Sequence, residues 1–248
     1  MAVLVLGRPA VRGGGVTRHP ARRMVRILLG VLAVRANRAL PLEWVVDALW
    51  PDKPPPSAAA NVRTHLAELR RILANLAPGG PCIVTSRDGY VLAAAPDAVD
   101  VTRFQRLVRE GRELRAHGEN AAAAHSLEHA VGLWRGPVMA GLPVPDVVRP
   151  DVTVLEEQRV CAIEDLAEVR LALGWQAELV AALAGLVVEH PLRERLWRLL
   201  VAALAASGRR SEALAVYRRL VRVLEVELGV APSAATTSLY EAVRDGRA

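Results

Sequence analysis

Three arginines close together carry the clearest chemistry in this chain. In SAAANVRTHLAELRRILANL, residues 57–76, Arg63, Arg70 and Arg71 edge a face of small residues formed by Ala60, Thr64 and Ala67. A guanidinium offers five N–H donors in a planar fork, which fits a phosphate or the O6/N7 edge of guanine, and a face of small residues lets a helix lie close in a major groove. Thr64 on that face offers a contact to a thymine methyl or to a phosphate. Glu68 has two uses, as an acceptor from cytosine N4 or as a partner in an i,i+4 or cross-helix ion pair, and the ion pair is the commoner one. Arg70 lies nearer the apolar side of the helix, where pairing with an acidic neighbour competes with DNA contact. His65 lies on the edge of that side and reads as a packed histidine.

Other chemistries find little footing. His125 and His129 are four apart and could share a metal, but no HExxH order and no third ligand accompany them. Gly13 to Gly15 do not open a GxGxxG turn, and a Walker motif needs a lysine where the chain has none, Lys53 being the only one. No GxSxG is present. Trp44, Trp50, Trp134, Trp175 and Trp197 read as core or hairpin anchors. No catalytic residue, metal ligand or cofactor is expected.

The elements that must position the arginines are legible. Val62, Leu66, Leu69, Leu73 and Leu76 follow the 4, 3, 4, 3 spacing of one apolar stripe, so residues 57–76 predict a helix that packs on one side. CIVTSRDGYVL after it predicts a strand pair, a basic wing beside the helix. Upstream, AVLVLGRPAVRGGGVTRHP predicts a small irregular antiparallel sheet. MVRILLGVLAVRA and PLEWVVDALW predict two helices, the second opened by Pro41 and closed by Pro51. The prolines of PDKPPPS exclude helix, leaving Ser57 as an N-cap. The order is sheet, three helices, hairpin.

Charge divides the chain unevenly. A cut near Pro96 leaves 13 basic and 5 acidic residues (net +8) before it, and 19 and 21 (net −2) after it, within a total of +6. A positive field confined to one part marks an anionic partner, most often nucleic acid. The 31 arginines against one lysine match the Ala, Val and Leu richness of a GC-rich genome. The 248 residues suffice for two modest cores. AAAPDAVD, residues 93–100, is the expected junction, giving domains 1–96 and 97–248. Beyond it a period of 34, the tetratricopeptide length, pairs Ile163 with Trp197, Leu166 with Leu200, Gly174 with Gly208 and Leu183 with Tyr217. Leu107, Gly111, Gly118, Ala123 and Leu127 fit an earlier copy, so three helix pairs are expected with Gly118, Gly174 and Gly208 at turns. LVAALAGLVV, too short for a membrane span, reads as helix core. Cys82 and Cys161 suggest no disulfide framework, and no signal peptide is evident. A cytoplasmic protein that associates with the nucleoid, and not with a membrane, is expected.

RANRALPLEWVVDALWPDKPPPSAAANVRTHLAELRRIL and IVTSRDGYVL resemble the OmpR-type winged helix, and DAVDVTRF, LWRGPV, EHPLRERLW, GRRSEALAVYR and ELGVAPS resemble the bacterial transcriptional activation domain. Together, in this order, they resemble the Streptomyces antibiotic regulatory protein family, in its small stand-alone form without an ATPase module. The resemblance implies a mainly α fold with small β elements, an N-terminal OmpR-like winged helix followed by an all-α tetratricopeptide-like domain. It implies a sequence-specific activator that sits as a homodimer on promoter direct repeats of double-stranded DNA and recruits RNA polymerase holoenzyme to a secondary-metabolite gene cluster. It places Asn61, Arg63, Thr64, Arg70 and Arg71 at or beside DNA, with Thr85 and Arg87 at wing positions. Ala67 and Glu68 depart from the polar or basic residues usual there, so base preference does not carry over. The alternative is a tetratricopeptide-type scaffold whose winged helix does not bind DNA.

Overall fold

The computed structural model describes residues 2–176 and 178–247. Its first elements are three short antiparallel strands, β1 (Val3–Leu4), β2 (Ala10–Gly13) and β3 (Val16–Arg18), in the order β1-β2-β3. Gly14 and Gly15 make the two-residue turn between β2 and β3, both with φ in the left-handed region (54° and 77°), as a tight hairpin of this hand requires. The triple glycine therefore serves a turn.

Three helices follow, α1 (Arg23–Val34), α2 (Leu42–Leu49) and α3 (Ala58–Leu76), and then the hairpin of β4 (Cys82–Ser86) and β5 (Gly89–Ala93). Six large apolar residues of α1 are buried, Val25, Ile27, Leu28, Leu29, Val31 and Leu32, because α2 and α3 both pack on it. α3 buries Val62, Leu66, Leu69 and Leu73 as its stripe requires, while Leu76 is only partly covered. Ser57 stands at the N-cap of α3 but makes no capping bond; its hydroxyl accepts from Asn61 Nδ2 at 3.2 Å instead. The expectation that Ser57 caps the helix is corrected: its backbone (φ −90°, ψ 12°) is not the extended form that aims a side chain at the first turn. Leu40 and Tyr90 exchange backbone hydrogen bonds of 2.9 Å, which ties β5 to the segment entering α2.

Packing does not part at residue 96. One compact unit runs to Glu110 and includes Glu128–Val160; the other comprises Gly111–Leu127 and the chain from Cys161 onward. Buried polar bonds explain the first unit. Asp100, fully buried at the start of α4 (Asp100–Ala116), accepts from the backbone N–H of Val5 (2.8 and 2.9 Å) and of Leu6 (2.9 Å), and from Arg135 Nη2 (3.0 Å). Burial pushes its carboxyl up, against the pull of those donors. The N–H groups of Arg135 and Met139 donate to the carbonyls of Leu6 and Val5, so the LWRGPV motif lies along the chain that continues β1.

The second unit contains parts of α4, α5 (Asn120–Val131) and α6 (Arg149–Ala172), and then α7 (Leu179–Glu189), α8 (Glu194–Ala206), α9 (Arg210–Leu228) and α10 (Ala234–Arg244). Gly118, Gly174 and Gly208 have φ of 80°, 77° and 72° and end α4, α6 and α8. The 34-residue period thus corresponds to one left-handed turn per helix pair. α10 closes the last pair, with Tyr240 stacked on Tyr217 at 4.1 Å between centroids. Two expectations are corrected. α7 is not core throughout: Leu179, Leu183 and Val187 are buried, but Val188 is 61% exposed, because α7 presents only one stripe to α8. Trp175, in the turn before α7, is half exposed and is no core anchor, in contrast to Trp197, which is buried and donates from Nε1 to the carbonyl of Pro191 at 2.9 Å.

Candidate nucleic-acid interface

The uncovered face of α3 carries Ala60, Arg63, Thr64, Ala67 and Arg71, all exposed. At about 100° per residue, Ala60, Ala67 and Arg71 lie at the centre of this face, with Thr64 toward one flank and Arg63 toward the other. The flanks are braced differently. On one, Arg70 donates from Nε to the carbonyl of Ile83 (2.9 Å) and from Nη2 to Thr85 Oγ1 (2.7 Å), so a guanidinium of α3 bridges directly to strand β4. On the other, Glu68 forms an ion pair with Arg22 at 3.5 Å. Of the two uses open to Glu68, the structure shows the ion pair; Arg70 meets a carbonyl and a hydroxyl rather than a carboxylate.

The seven residues singled out from the sequence thus fall into two groups. Four have side-chain bonds: Asn61 to Ser57, Thr64 Oγ1 to the carbonyl of Ala60 (3.1 Å), and Arg70 and Thr85 to one another. Arg63, Arg71 and Arg87 are exposed and make no side-chain hydrogen bond or ion pair among the described residues. Arg87 sits with Asp88 in the two-residue turn joining β4 and β5, where Ser86 Oγ donates to the carbonyl of Gly89 at 3.1 Å and narrows the tip. Three free guanidinium groups on a helix and its adjoining wing can bind phosphates or guanine edges without first breaking a bond. His65 stacks on Trp50 at 6.4 Å; burial pushes its pKa down, Glu68 acting against and Arg22 with that shift. Part-buried stacking on Trp50 fits the expectation of a packed histidine.

Sequence reasoning missed Arg22. Its ion pair joins positions 46 apart, and no periodicity couples the residue before α1 to α3; the only local signal is the Arg22-Arg23 pair opening that helix. Among the described residues no group of three or more His, Cys, Asp or Glu could hold a metal, and Cys82 and Cys161 are not joined in a disulfide. No helix among them is long and apolar enough to cross a membrane.

The second unit uses arginine in another way. Glu164, Asp165 and Glu168 on α6 are met by Arg193 (2.7 Å to Glu164), Arg195 (3.2, 2.8 and 3.0 Å to the three in turn), Arg112 (2.7 Å to Asp165) and Arg115 (2.6 Å to Glu168). Glu164 is 1% exposed. Burial opposes the charge on Arg195 and on Glu168, yet the mutual bonds prevail, raising the arginine's pKa and lowering the carboxyl's.

A three-helix and hairpin winged helix, followed in one chain by tetratricopeptide-like helix pairs, is a two-part architecture matched by known bacterial transcriptional regulators. Residues 99–244 match the family described as bacterial transcriptional activator domain. The regulatory protein DnrI of Streptomyces peucetius is 32% identical over 249 residues, covering 98% of this chain and 92% of DnrI. The regulatory protein AfsR of Streptomyces griseus is 37% identical over 218 residues, 88% of this chain but 22% of AfsR. The transcriptional regulator RedD of Streptomyces coelicolor is 36% identical, over 85% of this chain and 61% of RedD. The structure of Mycobacterium tuberculosis EmbR in complex with a low affinity phosphopeptide superposes with a TM-score of 0.90 at 29% identity, over all of this chain and 65% of that one. The chain belongs to the Streptomyces antibiotic regulatory protein family of transcriptional regulators.

Proposed function

We propose that this chain is a sequence-specific DNA-binding activator, without enzymatic activity, that acts in the cytoplasm on nucleoid DNA. Helix α3 enters the major groove, where Arg63 and Arg71 contact phosphate or base edges, with Asn61 and Thr64 beside them; Thr64 keeps lone pairs and a methyl group for DNA while its hydroxyl donates to Ala60. Arg87 at the wing tip meets the flanking backbone or minor groove. Arg70 and Thr85 act at the interface as the brace that sets the wing beside α3. Functionally the division lies at residues 96 and 97. Residues 1–96 bind DNA, and residues 97–248 contact RNA polymerase holoenzyme and support a homodimer on promoter direct repeats of a secondary-metabolite cluster.

The observation that carries this reading is the set of three exposed, unpaired arginines on α3 and the wing, within the part of the chain whose net charge is +8. Arg71→Ala tests it in a gel-shift titration against a duplex selected from a random-sequence library. Removing a bidentate bond to a base there weakens binding by about 1–3 kcal/mol and relaxes the base preference at one position. Unchanged affinity for selected and scrambled duplexes alike, with no salt dependence in the parent protein, would instead favour the scaffold with a winged helix that does not bind DNA.

A further inference from the structure

The pair between Arg22 and Glu68 stands on the flank of α3 away from the wing. Glu68 and Arg70 are two residues apart, hence about 160° apart around the helix axis, and the uncovered face lies between them. One flank is closed by the Arg70 brace to β4, the other by Arg22. Glu68 is the sole carboxylate of α3, and its side chain is mostly covered (18% exposed), whereas that of Arg22 is 64% exposed. The ion pair engages Arg22 through Nη1, so most of the donor fork still faces solvent. Arg18 and Arg23 in the same stretch are exposed as well, and Asp or Glu is absent from residues 18–23. Arg22 therefore puts a mostly exposed guanidinium on this flank of α3, and it comes from the segment between β3 and α1, outside the helix and wing.

We infer that Arg22 is a DNA phosphate ligand that extends the interface of α3 and the wing onto the segment entering α1, and that Glu68 holds Arg22 at this flank instead of reading a base. The inference rests on the reading that α3 enters DNA. A carboxylate beside a phosphate backbone repels it; paired with an exposed guanidinium, the same carboxylate becomes the anchor of a cation aimed at the phosphates. Arg22 then releases a counterion on binding like any phosphate ligand and adds affinity without base preference.

The test is the salt dependence of binding to a duplex selected by the parent protein from a random-sequence library, for Arg22→Ala, Glu68→Gln and the double variant. Arg22→Ala lowers the slope of log K against log salt by about 0.9 and weakens selected and scrambled duplexes alike. Glu68→Gln, whose amide oxygen can still accept from the Arg22 guanidinium, leaves the selected base preference unchanged, and adding Arg22→Ala to it still lowers the slope by about 0.9. Three results would overturn the inference: an unchanged slope in Arg22→Ala, an Arg22→Ala effect that vanishes in the Glu68→Gln background, which makes Arg22 only a neutraliser, or an altered base choice in Glu68→Gln. Arg71→Ala runs alongside. If it weakens binding while Arg22→Ala does not, this inference alone fails; if neither does, the DNA reading of α3 fails with it. Thermal melting checks that each variant is folded, and Arg22→Gln, which keeps a polar side chain without the charge, repeats the slope measurement if the alanine variant is not.

Discussion

The arginines of α3 and its wing and those around α6 are the same residue used for opposite ends. Arg63, Arg71 and Arg87 have no side-chain partner among the described residues. Around Glu164, Asp165 and Glu168, by contrast, Arg193 and Arg195 are engaged by carboxylates from α6 at 2.7–3.2 Å, and even the half-exposed Arg112 is held at 2.7 Å by Asp165. A guanidinium saturated by carboxylates has no favourable exchange to make with a phosphate. One that meets only water does, since it gives up hydration alone. In a chain with 31 arginines an unengaged guanidinium does not by itself mark an anion site, since Arg109, Arg218 and Arg222 of the helical part are also exposed without an ion pair among the described residues; what sets Arg63, Arg71 and Arg87 apart is their grouping on one helix and wing within the part whose net charge is +8.

This contrast breaks first at Glu164. Glu164→Ala leaves Arg193 and Arg195 without their buried acceptor. It should lower stability in urea unfolding by about 2–3 kcal/mol, less than for a fully buried pair because the two arginines are 24% and 32% exposed. The folded fraction should keep its DNA affinity. Arg71→Ala should show the reverse, a loss of about 1–3 kcal/mol in binding with no change in unfolding midpoint. Arg112→Ala, which removes the same charge, should leave DNA binding unchanged. A smaller effect is expected from acid. Arg195 and Arg115 hold the Glu168 carboxyl below its ordinary 4.5 despite burial, so its contribution is complete above that value and is lost as pH falls through the depressed one. The urea midpoint should decline over that interval, and less so in Glu168→Gln. Smallest is Arg87→Ala, which should lower the salt slope by about 1 with base preference intact.

What the sequence made legible follows from the range of each signal. The stripe from Val62 to Leu73, the hairpin at residues 82–93 and the turns at Gly118, Gly174 and Gly208 are local patterns, each read within one or two helical turns or one strand pair. The exposure of Arg63 and Arg71 follows from the same stripe. Bonds between distant residues were not legible: Asp100 reaches Val5 across 95 positions, Arg70 reaches Ile83 on another element, and Arg22 reaches Glu68, with no periodicity joining the partners. This is also why the compact units do not follow the composition boundary near residue 96, since LWRGPV is packed along the chain after β1. Ser57 and Trp175 misled for a further reason. A good N-cap residue type needs an extended backbone to cap, and a large aromatic needs neighbours on both sides to be buried.

Salt dependence of duplex binding by the triple variant Arg63→Ala, Arg71→Ala, Arg87→Ala tests most directly whether the unpaired arginines form the DNA interface. The slope of log K against log salt should fall by about 2 to 3, close to 0.9 for each phosphate no longer neutralised, with the melting temperature unchanged. A triple variant that keeps the slope and affinity of the parent protein would contradict it.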